Sequence, residues 1–162
     1  MNLKKIIAGF IISLSIIGTM PPLPSEGSES TYFRTYYTSR SRGISITREE
    51  FMLLARLINA EARGETLIGQ VAVGAVVFNR LKDPRYPKTL TRVIYDQGQF
   101  SPVSDGSIDL PPDEKSMLAA ELALIGLDPT NGCLFFYNPV KANSEWMDRI
   151  PTVVVIGSHA FG

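Results

Sequence analysis

The stretch whose reading decides the fold is "LARLINAEARGETLIGQVAVGAVVFNR", residues 54–80. Leu54, Leu57 and Ile58 recur at helical spacing, and Glu61 stands where the next apolar residue would be expected. Gly64 is the natural stop of this helix, since a residue without Cβ adopts the left-handed terminating conformation at least cost. A second helix starts near Glu65 or Thr66, where an acidic residue suits the positive end of the dipole. It places Leu67, Val71, Ala75 and Phe78 on one side and ends at "KDPRYP". Gly69 and Gly74 lower its propensity, a cost that makes sense where a neighbouring backbone approaches closely. The two helices form a tight hairpin with Glu61 at its inner bend.

Upstream, Thr47 and Glu50 form a capping box, and Phe51, Leu54, Ala55 and Ile58 make one apolar face, widened by Leu53 and Leu57. Downstream, "TLTRVIYD" (89–96) is a short helix, and "QGQFSPVSDGSIDLPP" (97–112) is a polar loop of a length often tied to function. Pro112, Asp113 and Glu114 open a third long helix with Met117, Leu118, Leu122 and Ile125 inward. "CLFFY" (133–137) and "TVVVIG" (152–157) are β-rich runs suited to antiparallel pairing, joined by "NPVKANSEWMDRIP". The expected class is α+β, mainly helical, with a small C-terminal antiparallel β-hairpin.

The chain has 162 residues, 44% apolar and 20% charged, with 16 basic and 16 acidic side chains. Such balance gives no electrostatic footprint for nucleic acid. Lys4 and Lys5 precede the uncharged run "IIAGFIISLSIIGTM" (6–20), shorter than the ~20 residues that span a bilayer comfortably. Residues 1–20 therefore read as an export signal or, if uncleaved, a membrane anchor. Residues 21–43, rich in Pro, Ser, Gly and Arg, read as a flexible linker, and residues 44–162 as the functional domain. The expected location is the cell envelope, periplasm or wall. With one cysteine, Cys133, no intramolecular disulfide can form.

Glu61 is the first candidate for chemistry. A helix C-terminus and apolar neighbours both disfavour a carboxylate, which would leave the acid protonated near neutral pH and able to give and retrieve a proton. The competing reading is an ion pair with Arg56, Arg63 or Arg80, or exposure at a frayed end. Cys133 and His159 are the only thiol and imidazole, too few for a His/Cys zinc site, so no metal and no cofactor are expected. Cys133 sits in an apolar run and behaves as a small hydrophobe, and His159 reads as a turn or packing residue. Gln99, Ser101, Tyr137, Asn138 and Trp146 offer the amides, hydroxyls and rings that bind sugars; packing and turn-capping are the alternatives.

The blocks "LARLINAEARGE", "GQVAVGAVVFNRL", "VIYDQGQFSPVSDG", "FFYNP" and "IGSHAFG", in this order, resemble the spore cortex-lytic, SleB-like cell-wall hydrolases. The resemblance covers the domain from about Phe51 onward. It implies a lysozyme- or lytic-transglycosylase-like fold, peptidoglycan as partner, and Glu61 as the catalytic acid of "EARGE"; no obligate protein partner is inferred. Thr66 stands where that family often has proline. The implied reaction is lytic transglycosylation between N-acetylmuramic acid and N-acetylglucosamine by a single glutamate. The alternatives are muramidase-type hydrolysis with a second carboxylate, Asp96 or Asp105, and a non-catalytic wall-binding protein. Spore cortex and vegetative wall are equally compatible substrates.

Overall fold

The computed structural model describes residues 44–140 and 151–162. The expected export signal at 1–20, the linker at 21–43 and Trp146 lie outside the described residues. Helix α1 spans Arg48–Ala62, α2 Leu67–Lys82, α3 Leu90–Ile94, α4 Ser101–Asp105 and α5 Glu114–Leu124, with a 3-10 turn at Ser107–Asp109. Strands β1 (Phe136–Tyr137), β2 (Val154–Ile156) and β3 (His159–Phe161) complete a mainly helical α+β domain. No described helix is long and apolar enough to cross a membrane.

The capping box opens α1 as expected: Glu50 N donates to Thr47 Oγ1 and Thr47 N to Glu50 Oε2, both at 3.1 Å. All six residues expected on its apolar face are buried. Helix α2 is apolar beyond one stripe, with every residue from Gly69 to Phe78 buried, because α1 and α5 pack against it from two sides.

The inward face of α5 differs from the sequence expectation. Ser116, Ala119, Ala120, Ala123 and Leu124 are buried, whereas Leu118 is 44% exposed and Met117, Leu122 and Ile125 are half-buried. Small side chains face inward because the helices come together closely: a Cβ at Gly74 would lie 3.0 Å from both Ala123 Cβ and Ile58 Cδ1. The close approach expected of Gly74 is thus made by side chains of α5 and α1. Gly69 instead accommodates the Glu65 side chain, 3.1 Å from where its Cβ would be.

The bend between α1 and α2 is also built differently. Gly64 does not have positive φ, and the capping residue Arg63 keeps right-handed helical angles. The terminal carbonyls of α1 are satisfied from outside instead. Buried Gln70 donates through Nε2 to Ala62 O at 3.1 Å and Arg63 O at 3.4 Å, and Lys115 Nζ donates to Arg63 O and Glu65 O at 3.3 and 2.9 Å. Gln70 Oε1 in turn accepts from Ser116 Oγ at 3.2 Å, which also reaches Asn59 Oδ1. A glycine stop is unnecessary where two neighbouring helices supply the donors.

The polar stretch 97–112 carries a short helix and a 3-10 turn rather than an open loop, divided by left-handed Gly106. The two β-rich runs do not pair with each other. Strand order is β1-β3-β2, so the hairpin joins β2 to β3 and β1 pairs with β3 from the other side, Tyr137 opposite Ala160.

Ahead of β1, residues 128–133 form a turn held by one carboxylate. Asp128 accepts from Thr130 N, Thr130 Oγ1, Gly132 N and Asn79 Nδ2 at 2.6–2.9 Å. Burial alone raises its pKa, but these hydrogen bonds outweigh it and hold the carboxyl below the usual range. A carboxyl with depressed folded pKa stabilises fully above the unfolded value of about 3.9, and that contribution fades as pH falls through the folded value. Asp128→Asn is therefore expected to lower the melting temperature at pH 7 and to flatten its decline below pH ~4. Parallel melts of both proteins across that range check this; equal slopes would contradict it.

Candidate active site

The bend of α1–α2, the start of α4, and strands β1 and β3 surround an open cleft of about 490 Å³. Its walls include Glu61, Gln99, Ser101, Tyr137 and Asn138, together with Glu65, Arg80, Ser158 and His159. Of the five residues expected to bind sugar, four line the same cleft as Glu61, and Trp146 lies outside the described residues.

Glu61 is half-buried in the last turn of α1. Of the arginines considered as its partner, Arg80 lines the same cleft and feels the Glu61 charge, while Arg56 lines a separate groove with Arg48, Glu49, Met52, Asp109 and Pro111. Arg80 is 4% exposed and donates from Nε to Leu134 O at 2.7 Å. Its guanidinium carbon lies 5.0, 5.4 and 5.6 Å from the ring centres of Phe100, Tyr86 and Phe135. Burial pulls its pKa below the usual arginine value, opposed by Tyr86, Asp96 and Glu61. Its aromatic cage fixes a cation in the cleft wall.

Gln99 is half-buried and Ser101, the first residue of α4, is exposed, so both present polar groups to the opening. Phe100 between them turns inward, 3% exposed, against Arg80 and Phe136. The Tyr137 hydroxyl lies 3.4 Å from Thr152 Oγ1, and Asn138 Oδ1 accepts from Val140 N at 2.9 Å. His159, 7% exposed, packs edge-on against Phe136 with ring centres 5.5 Å apart, a packing role in keeping with its sequence reading.

Neither Asp96 nor Asp105, the carboxylates considered as seconds to Glu61, lines the cleft. Both are exposed, and Asp105 caps the following turn through Ser107 N at 2.8 Å. The second carboxylate of the cleft is Glu65, across the bend from Glu61. Its Oε2 accepts from Ser158 N at 3.2 Å, its Oε1 from Ser158 Oγ, and His159 Nδ1 lies 3.8 Å from Oε1. The Ser158 hydroxyl is the main cause holding the Glu65 carboxyl below its ordinary pKa, so it is ionised at neutral pH. Sequence reading placed Glu65 only at a helix start, and its partner in the hairpin turn is 93 positions away. Cys133 stands just before β1 rather than within a strand; it is buried, and its thiol donates to Thr130 O. Among the described residues no three His, Cys, Asp or Glu side chains cluster as metal ligands would.

The model of the Cell Wall Hydrolase family matches residues 64–162. The chain belongs to that family. The spore cortex-lytic enzyme of Halalkalibacterium halodurans is 41% identical to this cell wall hydrolase over 112 residues, 69% of the present chain. Those residues span only 34% of that relative. Among solved structures, the catalytic domain of Bacillus cereus SleB is similar with a TM-score of 0.68 at 38% identity, covering 72% of this chain and 91% of that one. The catalytic domain of the germination-specific lytic transglycosylase SleB from Bacillus anthracis gives 0.69 at 37% identity, covering 72% and 95%. The lysozyme-like α+β class expected from the sequence is thus the class of the fold. The family match begins just after Glu61 and takes in Glu65, Arg80, Gln99, Ser101, Tyr137, Asn138, Ser158 and His159.

Proposed function

We propose that this cell wall hydrolase cuts the glycan strands of peptidoglycan as a lytic transglycosylase, between N-acetylmuramic acid and N-acetylglucosamine. The carrying observation is Glu61, a half-buried carboxyl at a helix end in an open cleft whose other walls present amide, hydroxyl and phenol groups beside Arg80, Glu65 and His159. Such a cleft suits a polymer of uncharged rings, with hydrogen-bonding side chains along its length and an acid at one point. Export through residues 1–20 would bring the domain to that polymer.

In this mechanism protonated Glu61 gives its proton to the glycosidic oxygen, and the bond from that oxygen to the muramic C1 breaks. The resulting Glu61 carboxylate takes the proton of the muramic 6-hydroxyl, whose oxygen closes onto C1. The nucleophile belongs to the substrate, so proximity supplies much of the rate and no water is consumed. Digestion of purified sacculi should release fragments with 1,6-anhydro ends, one water lighter than reducing sugars. Mass spectrometry that finds only reducing ends would overturn the transglycosylase reading.

One observation favours hydrolysis as the second reading. Glu65 puts another carboxylate in the cleft, as muramidase chemistry requires. Retention calls for the two carboxyls about 5–5.5 Å apart and inversion for about 6.5–9.5 Å. The same mass measurement separates the routes.

A further inference from the structure

We propose that Glu65 is a working anion of the cleft, stabilising the positive charge that grows on the sugar ring as Glu61 protonates the leaving oxygen. This rests on the reading of Glu61 as the acid that cleaves glycan. The argument starts from geometry. Glu65 lies one turn beyond Glu61, across the bend, and its side chain is 13% exposed, toward the cleft. Its main chain is fixed on both sides, N donating to Ala62 O at 2.9 Å and O accepting from Lys115 Nζ at 2.9 Å. Its carboxylate is fixed as well, one oxygen on Ser158 N and the other on Ser158 Oγ. A Cβ at Gly157 would overlap Oε2, so the hairpin turn is shaped around this group.

A turn that needs only acceptors for an amide and a hydroxyl could be served by a neutral side chain. A mostly buried carboxylate costs more desolvation than such a group, and here its hydrogen bonds favour the ionised form. The groups facing it are His159 at 3.8 Å, Lys115 held on the main chain, and Glu61 and Arg80 around the same cleft. Two carboxylates in one site, one locked in its ionised form by its neighbours, divide naturally into a fixed charge and a proton carrier. A preorganised charge aimed at the developing opposite charge needs no reorganisation during reaction. Glu65 forms no bond and transfers no proton in this role.

The test uses the full chain carrying Glu61→Gln, which removes the other carboxylate, with and without Glu65→Gln. Two probes are compared by calorimetry at pH 7: a neutral N-acetylglucosamine tetrasaccharide, and the same chain ending in a protonated imino sugar. The Glu61→Gln protein is expected to bind the cationic chain about tenfold more tightly than the neutral one. Adding Glu65→Gln should erase that preference and leave affinity for the neutral chain unchanged. With Glu61 intact, Glu65→Gln should lower kcat about 100-fold with little change in KM. Binding of the neutral chain without a cationic preference overturns the role of Glu65 alone. Binding of neither chain overturns it together with the glycan-cleft reading. Should the double variant not fold, the Glu61→Gln protein is titrated. A preference that fades as pH falls below the ordinary glutamate range supports Glu65, and one still constant there overturns it.

Discussion

Glu61→Gln is expected to lower the rate of sacculus digestion by about 100- to 10,000-fold, the usual worth of a positioned general acid. Glutamine fills the same volume and keeps an acceptor and a donor, so the melting temperature should move by no more than about 2 °C, as for a substitution outside the core. The two readouts must be taken together. Lost activity with an unchanged melt assigns the proton to position 61. Retained activity would remove the foundation of the proposed mechanism, whatever the other cleft residues do. Turbidity of a sacculus suspension measures the rate, and the same samples supply the melts. Glu61, whenever it is ionised, shares one field with Arg80, so removing the carboxyl takes that compensation from a cation 4% exposed. Any stability loss should therefore trace to Arg80 and be smaller in Glu61→Asp.

Phe161→Ala carries the second large effect. Phe161 is fully buried in β3, its ring 6.0 Å from that of Phe136 and 6.3 Å from that of His159. Emptying such a position costs roughly 3–5 kcal/mol through lost transfer energy and the cavity left behind. That is a large part of the 5–15 kcal/mol typical of a whole domain. A fall in melting temperature on the order of 10–20 °C is expected. Activity should fall further than the folded fraction explains, since β3 carries His159 and orders Phe136 and Tyr137 on the facing wall. A shift below about 3 °C would mean the strand is not anchored by this ring.

Much of this was legible in the chain because the signals were local. The Thr47–Glu50 box and the spacing of Leu54, Leu57 and Ile58 are read within one or two turns, and they place Glu61 on the right element. Gln99, Ser101, Tyr137 and Asn138 were found as polar groups flanking aromatic runs, and the fold brings them to one cleft. The failures share a different cause. The face of α5 was assigned by hydropathy, whereas the inward side is chosen by size: alanines fit against Gly74 and Leu118 does not. The glycine stop at Gly64 was inferred from a rule about isolated helix ends, and here Gln70 and Lys115 replace it. Strand β3 has three residues, too few for a period, and its pairing with both other strands is a tertiary fact. Glu65 escaped notice for the same reason, since its meaning depends on Ser158 at the far end of the domain.

The cleft walls come from positions 60–62, 64, 65, 80, 99, 101, 136–138, 158 and 159, nearly the full span of the described domain. No single segment contains the whole site. A partly folded chain whose β2–β3 hairpin has not docked lacks Ser158 and His159 in the cleft and leaves the Glu65 carboxylate without its hydrogen-bond partners. Under the proposed mechanism, the charge that Glu65 supplies is therefore set in place only when that hairpin closes.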